Sequence, residues 1–337
     1  MTMIHVGVVG GGQAGERHLN GFSQLPNVKV VGIADTSIQR RVELANQYKV
    51  TAYEDYRSMI DAGVDILVVC IPHHKLCSVA MEAANAGIHV LVEKPMATNV
   101  DDAQLLVSTC KQRGVKLGVC FVHRYRMEAK KALEWMTEGS IGNVSVASET
   151  MITAQRQPLP EWLMIPEMSG GGVMMYSAIH AVDRLCWLLG DEVVRVTGRC
   201  GGINNDVLVE KNCTCLLEFG RGTTGILLSA SHNTGTKGLC WETNLHGSEG
   251  IIAVRAREWA RLSSLEHTKY WHSENHTSEL GLHYNFQMQA EDFVDAVIND
   301  REPRVTGQDG LHALSIVQAI YLSNSKGVTQ TVPTIAG

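Results

Sequence analysis

The chain has 337 residues, long enough for two domains with cores of their own. With 45% hydrophobic and 19% charged residues it has the composition of an ordinary globular protein, which excludes a disordered or fibrous chain. A formal charge of −6 with scattered basic residues argues against a nucleic-acid partner, and the pair Lys130–Lys131 reads as a solvated helix face. No apolar stretch has the length of a membrane span, and no basic, apolar and small-residue pattern of a signal peptide opens the chain. The nine cysteines, an odd number, sit mostly in apolar runs such as LVVC ending at Cys70, so the reading is a cytoplasmic protein with reduced core thiols.

The first apolar, β-branched run, IHVGVV from Ile4 to Val9, predicts a strand. It leads straight into Gly10-Gly11-Gly12-Gln13-Ala14-Gly15 and then a helical pattern. Glycines at 10, 12 and 15 suit a tight turn, close approach of backbone N–H groups to a pyrophosphate, and close packing of helix on strand. A second strand, Val28 to Asp35, ends in an acid about twenty residues after Gly15, where a ribose 2′-hydroxyl needs a carboxylate acceptor.

Helical stretches at Ser37–Tyr48 and about Tyr53–Ala62 follow, and then the continuous apolar strand DILVVCI, Asp65 to Ile71. A helix from about Lys75 to Ala86, a strand Ile88–Glu93, a helix Val100–Arg113 and a strand Val115–Phe121 complete a parallel, doubly wound sheet. The cofactor domain is placed at 1–123. Beyond it come a helix Glu128–Glu138, a strand Asn143–Ile152, and a loop with prolines 158, 160 and 166. The triple glycine 170–172 then opens an apolar helix, Val173–Leu189.

Strands at Val193–Cys200, Val207–Phe219, Gly222–Ser231, Gly238–His246 and Ile251–Val254 follow without intervening helices. Two helices, Asn285–Ile298 and Gly310–Ser323, close the chain. The expected fold is α/β: an N-terminal Rossmann doubly wound parallel sheet, plus a C-terminal α+β domain, 124–337, with a large open, mainly antiparallel sheet.

Ligands of such sheets lie beyond the carboxyl ends of the parallel strands. Three clusters sit there by sequence: Ile71-Pro72-His73-His74, Glu93-Lys94-Pro95 and His123-Arg124-Tyr125. A lysine and imidazoles facing a nicotinamide suit proton transfer coupled to hydride transfer, although each also reads as a solvated loop charge or a cap. Two further groups read poorly as metal sites. Cys213-x-Cys215 lacks a second pair, and His267, His272, His276 and His283 crowd one stretch that reads as a mobile, substrate-facing or subunit-facing loop, with spacings that suit no zinc motif. No metal is expected.

AGIHVLVEKPMA, Ala86 to Ala97, resembles the Glu-Lys-Pro signature of the Gfo/Idh/MocA oxidoreductases, the glucose–fructose oxidoreductase and inositol dehydrogenase family. GVVGGGQAGERH, VCFVHRYR and SGGGVMMYSAIHAVDRLCWLLG resemble other segments of the family, as do the closing helices. The resemblance implies hydride transfer between a nicotinamide and a carbinol of a sugar, inositol or related polyol. It also implies a homodimer or homotetramer built through the C-terminal sheet.

It places Lys94 at the reacting oxygen, Pro95 as a loop-holding proline with a cis bond, and His180 as the acid–base. Tyr176 stands one helical turn before His180, where sugar and inositol dehydrogenases of the family usually carry aspartate. With Lys94 and His180 it counts among the expected catalytic residues; its phenol is a poor resting base and suits binding substrate or relaying a proton, or it marks a chain that has lost the usual activity. Asp183 matches a different family position and reads as a support for the site. Leu76 stands where many relatives have histidine.

The expected cofactor contacts are Gly10, Gly12, Gln13, Ala14, Gly15, Asp35, Arg40, Ile71, Pro72, His73, Glu93, Lys94 and Arg124. The expected substrate contacts are Lys94, His123, Trp162, Tyr176 and His180. Asp35 favours NAD over NADP, although Arg40 and Arg41 lie close enough in sequence to reach a phosphate. Two other readings stay open: a non-catalytic NAD-bound regulator or sugar sensor, and an NAD-dependent glycosidase-like enzyme.

Overall fold

The computed structural model describes residues 2–154, 159–202, 208–232, 240–272 and 279–334. The chain forms two compact units. The first runs to Val122 and takes in Glu279–Leu311, and the second comprises His123–Ser278 and His312 onward.

In the first unit, β1 (Ile4–Val9), α1 (Gln13–Ser23), β2 (Val28–Ala34), α2 (Ile38–Tyr48), β3 (Thr51–Tyr53), α3 (Arg57–Asp61), β4 (Ile66–Val69), α4 (His73–Asn85), β5 (His89–Val92), α5 (Val100–Arg113) and β6 (Leu117–Val119) alternate. The six strands pair in the order β3-β2-β1-β4-β5-β6, all parallel. The order reverses between β1 and β4, whose ends meet at Val9 and Val69. That reversal opens the crevice where dinucleotides bind. Local chemistry sets the helix ends. The Ser37 hydroxyl accepts from the Arg40 N–H and the Asn99 amide oxygen from the Asp102 N–H, while Gly114 closes α5 in a left-handed conformation. The short strand β3 was not anticipated. Its three residues are too few for a period-2 pattern to show against the flanking helices.

The boundary of the second domain needs correction. The stretch Glu279–Leu311, assigned by sequence to 124–337, belongs to the first unit. Ala290, Phe293 and Val294 of the helix Glu279–Ile298 join Leu19, Phe22 and strand residues Ile4, Val6 and Val8 in one buried cluster. Apolar complementarity with α1, invisible in the spacing of either segment alone, decides where this helix lies.

The second unit contains α6 (Met127–Thr137), β7 (Val144–Ala154), a π-helical turn Met174–Ala178 running into α7 (Ile179–Leu189), and strands β8 (Val193–Gly201), β9 (Asn212–Phe219), β10 (Thr224–His232), β11 (Cys240–Gly247), β12 (Gly250–Arg255), β13 (Trp259–Ser264), β14 (Thr268–His272) and β15 (Gln330–Thr331). Among the described residues, nine strands pair in the order β14-β13-β12-β11-β7-β10-β9-β8-β15, antiparallel except for β7 with β10. Alternation of buried and exposed residues along β9 gives the sheet one packed face. On the other face Val146, Leu216, Ile226 and Leu228 are exposed.

The expected loop of histidines is also corrected. Trp259–Ser264 and Thr268–His272 pair as an antiparallel hairpin, with His267 in its turn and His272 at the end of β14, and His283 lies in the helix Glu279–Ile298. His276 lies outside the described residues. The β-formers Thr268, Tyr270 and Trp271 favour the strand over a loop. No described helix is long and apolar enough to cross a membrane.

Candidate active site

The turn after β1 is shaped for close approach. Gly10 has φ +98°, and a methyl group there would stand 2.1 Å from the Cys70 carbonyl oxygen. A methyl on Gly15 would stand 1.8 Å from the Gly10 carbonyl oxygen, so helix and strand meet only because both are glycine. Gly12, by contrast, faces open space, and as N-cap of α1 it supplies no side-chain acceptor to the first helical N–H groups. An uncapped N-terminus of an eleven-residue helix beside Gln13, Ala14 and Gly15 is the donor set that a pyrophosphate needs.

Asp35 follows β2 directly. One of its carboxylate oxygens accepts from the Gly11 N–H at 2.6 Å and the other from the Ser37 N–H at 2.7 Å. Arg40 is held by its neighbours: Nε donates to the Gly11 carbonyl at 2.6 Å, one terminal nitrogen meets Glu16 at 2.6 Å and the other Glu43 at 2.8 Å. Hydrogen bonding to Glu43, opposed by some burial and reinforced by Glu16, raises the Arg40 pKa. With its charge matched by two carboxylates, Arg40 offers little to a 2′-phosphate. We expect calorimetry to show tighter binding of NAD(H) than of NADP(H). Tighter NADP(H) binding would put Arg40 or Arg41 in control of the pocket.

The second strand end on this crevice is α4's start. Pro72 is the N-cap, His73 is the first helical residue and is buried, and Ile71 is half-buried. Leu76 is fully buried in the core. Next come Glu93 and Lys94, joined to Pro95 by a cis peptide bond. Glu93 accepts from the Lys94 N–H at 3.1 Å and lies 3.3 Å from Nε2 of the buried His18. Burial alone would raise the Glu93 pKa, but His18 and Lys94 outweigh it and hold the carboxyl below its usual range. Desolvation holds the half-buried Lys94 below the ordinary lysine value, with Glu93 opposing.

His18 was missed by sequence reasoning. Its only signal is its position one turn into α1, three residues after Gly15. His18, Cys70 and Glu93 bring ligand-type atoms within 4.8 Å of one another. Burial, helped by the Glu93 charge, pushes the Cys70 thiol up. The group reads as a hydrogen-bonded support for the Glu-Lys-Pro turn.

The second unit holds the other candidates. His123 and Arg124 lie in a short helical turn, Val122–Tyr125, and Trp162 lies half-buried in another, Glu161–Met164. Tyr176 sits in the π-helical turn and His180 one position into α7. The sequence predicts an uninterrupted α-helix here, and π turns of this kind recur at functional sites. The imidazoles of His123 and His180 stack with centroids 4.2 Å apart. Burial, then the neighbouring His180 and three arginines, pushes the His123 pKa far down, so this ring stays neutral. Its Nδ1 faces a terminal nitrogen of Arg184 at 3.3 Å, and Arg184 is paired with Glu149 in a fully buried ion pair. An arginine has only donors, so Nδ1 accepts and the proton of the neutral ring sits on Nε2.

Arg124, expected at the cofactor, is engaged by Asp183: Nε lies 3.1 Å from both carboxylate oxygens and a terminal nitrogen 2.6 Å from one. Asp183 thereby braces α7 against the His123 turn. Glu149, Arg184 and Glu210 carry no sequence signal. Glu210 accepts from the Gly172 and Met174 N–H groups at 2.7 and 3.0 Å and from the Tyr321 hydroxyl at 2.7 Å, tying down the start of the His180 helix.

A parallel sheet of this order, with a glycine turn, an open helix N-terminus and an acid after β2, defines a dinucleotide-binding Rossmann unit of the oxidoreductase type. The chain belongs to the GFO/IDH/MocA oxidoreductase family. Residues 4–121 match the family's NAD-binding Rossmann fold and residues 129–253 its C-terminal domain. Among curated relatives, the rhizopine catabolism protein MocA of Rhizobium meliloti is 24% identical over 95% of this chain and 94% of its own length. Myo-inositol 2-dehydrogenase of Thermotoga maritima is 25% identical over 92% of this chain and 93% of its own. A solved structure of levoglucosan dehydrogenase in complex with NADH shares the fold with a TM-score of 0.90 at 21% identity, covering 99% of this chain and 100% of that one.

Proposed function

We propose that the protein is an NAD-dependent dehydrogenase that oxidises a carbinol of a sugar, an inositol or a related polyol, or reduces the corresponding carbonyl. The observation that carries this reading is a Glu-Lys-Pro turn and a paired imidazole in a chain whose Rossmann turn fits a dinucleotide. Relatives named as myo-inositol 2-dehydrogenase, D-glucoside 3-dehydrogenase and D-apiose dehydrogenase support the substrate class.

NAD held at the Rossmann turn would supply the acceptor for the hydride of the carbinol C–H. His180 takes the hydroxyl proton, and an imidazole ordinarily titrates near working pH, so it can return that proton in the reverse direction. The neutral His123 ring stacked on it adds no charge to oppose the imidazolium. Lys94 donates a hydrogen bond to the reacting oxygen and places positive charge where negative charge develops. Its depressed pKa eases sharing of that proton. Tyr176 binds a substrate hydroxyl. Gly10, Gly12, Gln13, Ala14 and Gly15 hold the pyrophosphate and Asp35 the ribose.

Incubation with NAD and a panel of sugars, inositols and polyols tests the reading. We expect NADH to form with at least one member of the panel. NAD binding without NADH from any member would favour a regulator or sensor. Glycoside hydrolysis without net NADH would favour the glycosidase-like chemistry.

A further inference from the structure

Three thiols stand in a row on the packed face of the second sheet, and the dehydrogenase reading uses none of them. Cys200 of β8 is paired in register with Cys213 of β9, and their sulfurs lie 2.6 Å apart. Cys215, two residues along β9 on the same face, brings its sulfur to 3.4 Å from that of Cys213. Cys213 and Cys215 are buried, whereas Cys200 is half-buried. A separation of 2.6 Å is well inside the non-bonded contact of two sulfur atoms. It is within about half an ångström of the covalent S–S length of about 2.05 Å.

The pair sits where it can act on the candidate site. The Lys211 N–H donates to the Gly201 carbonyl at 2.8 Å, tying the residue after Cys200 to the residue after Glu210. Glu210 in turn holds the Gly172 and Met174 N–H groups at the start of the helix that carries Tyr176 and His180. Whatever fixes the β8–β9 pair at Cys200 and Cys213 therefore also fixes the carboxylate that anchors that helix.

We propose that Cys200 and Cys213 close a reversible cross-strand disulfide under oxidation, and that this bond tightens the Glu210 anchor of the His180 helix. The oxidant is a hydroperoxide. The sulfur of Cys200, the less buried partner, attacks the peroxide, whose O–O bond breaks to release an alcohol, or water from hydrogen peroxide itself, and leaves a sulfenic acid. Cys213 then attacks that sulfur, the S–S bond forms, and the sulfenic oxygen departs as water with the thiol proton. Two thiols lose two electrons in total and the peroxide gains them. The hydrogen bond with Cys213, with burial, raises the Cys200 pKa, so thiolate is scarce and the reaction is slow.

The test uses the full chain, treated with hydrogen peroxide, alkylated and digested without reductant. Mass spectrometry is expected to find the Cys200 and Cys213 peptides joined. The joined species should be lost on dithiothreitol treatment, absent from Cys200→Ser and retained in Cys215→Ser. In the same oxidised sample, amide hydrogen exchange over residues 172–180 is expected to slow severalfold, and Cys200→Ser should abolish that slowing. Recovery of both Cys200 and Cys213 as alkylated thiols after prolonged peroxide would overturn the bond. A bond without any change in exchange at 172–180 would overturn its coupling to the helix. Neither readout needs a substrate, so the outcome is independent of the dehydrogenase activity.

Discussion

His180→Ala lowers turnover on the best substrate by about a hundredfold to ten-thousandfold, the usual worth of general acid–base help, and leaves NAD affinity near that of the parent chain. The direction follows from placement. His180 is 7% exposed at the start of α7, stacked on a neutral His123 whose own orientation is fixed by Arg184. The proposed pyrophosphate and ribose contacts come from other residues, Gly10 to Gly15 and Asp35, so NAD affinity is expected to survive the loss. Lys94→Ala is expected to behave alike, through loss of the charge proposed to stabilise the reacting oxygen. Tyr176→Phe is the mild contrast. It removes one hydrogen bond, about 0.5–1.5 kcal/mol, and raises KM while sparing kcat. Steady-state kinetics with cofactor calorimetry separates these cases. Near-parent turnover in His180→Ala or Lys94→Ala removes that residue from the proton path.

Glu149→Ala destabilises the chain by about 3–5 kcal/mol, the cost of leaving one member of a buried ion pair alone. The side chains of Arg184 and Glu149 are 2% and 0% exposed, in direct contact through one terminal nitrogen, and the Thr243 hydroxyl donates to the second carboxylate oxygen at 2.5 Å. Burial pushes the Glu149 pKa up and Arg184 pulls it back, as expected of a desolvated pair whose members depend on each other. Removing the carboxylate leaves a buried guanidinium without its counter-charge. The double variant Glu149→Leu/Arg184→Met replaces charge by volume and recovers most of the loss, since apolar substitutes for buried pairs are often neutral or better. Urea unfolding midpoints give the comparison. A single-variant loss below about 1 kcal/mol, the size of a solvated pair, would contradict this account.

The parts legible in the sequence are those encoded by neighbours in the chain. The β1–turn–α1 motif, the acid after β2, the Glu-Lys-Pro turn and the β-rich second half each rest on residues within a short window. What escaped the sequence joins distant segments. His18 meets Glu93, Arg124 meets Asp183, Arg184 meets Glu149, and Glu210 meets Gly172, and none of these pairs has a periodic signature. The helix expected at Asn285–Ile298 is present within Glu279–Ile298, but the cluster that buries its Ala290, Phe293 and Val294 includes Leu19 and Phe22 of α1, far away in sequence. The histidine-rich stretch misled because composition outweighed the alternation of β-formers in Thr268–His272. The candidate site follows the same division: its proposed chemistry-bearing residues rest on motifs, whereas the partners that pack against them in the structure lie in distant segments.

The central claim is hydride transfer from a carbinol carbon, and an isotope label tests it most directly. A substrate from the NADH-forming panel, deuterated at the reacting carbon, is incubated with the protein and NAD, and the reduced cofactor is analysed by mass spectrometry. The account predicts that the deuterium appears in the NADH and that turnover slows relative to the unlabelled substrate. Deuterium retained in the product or lost to water, with unlabelled NADH or none, would contradict it.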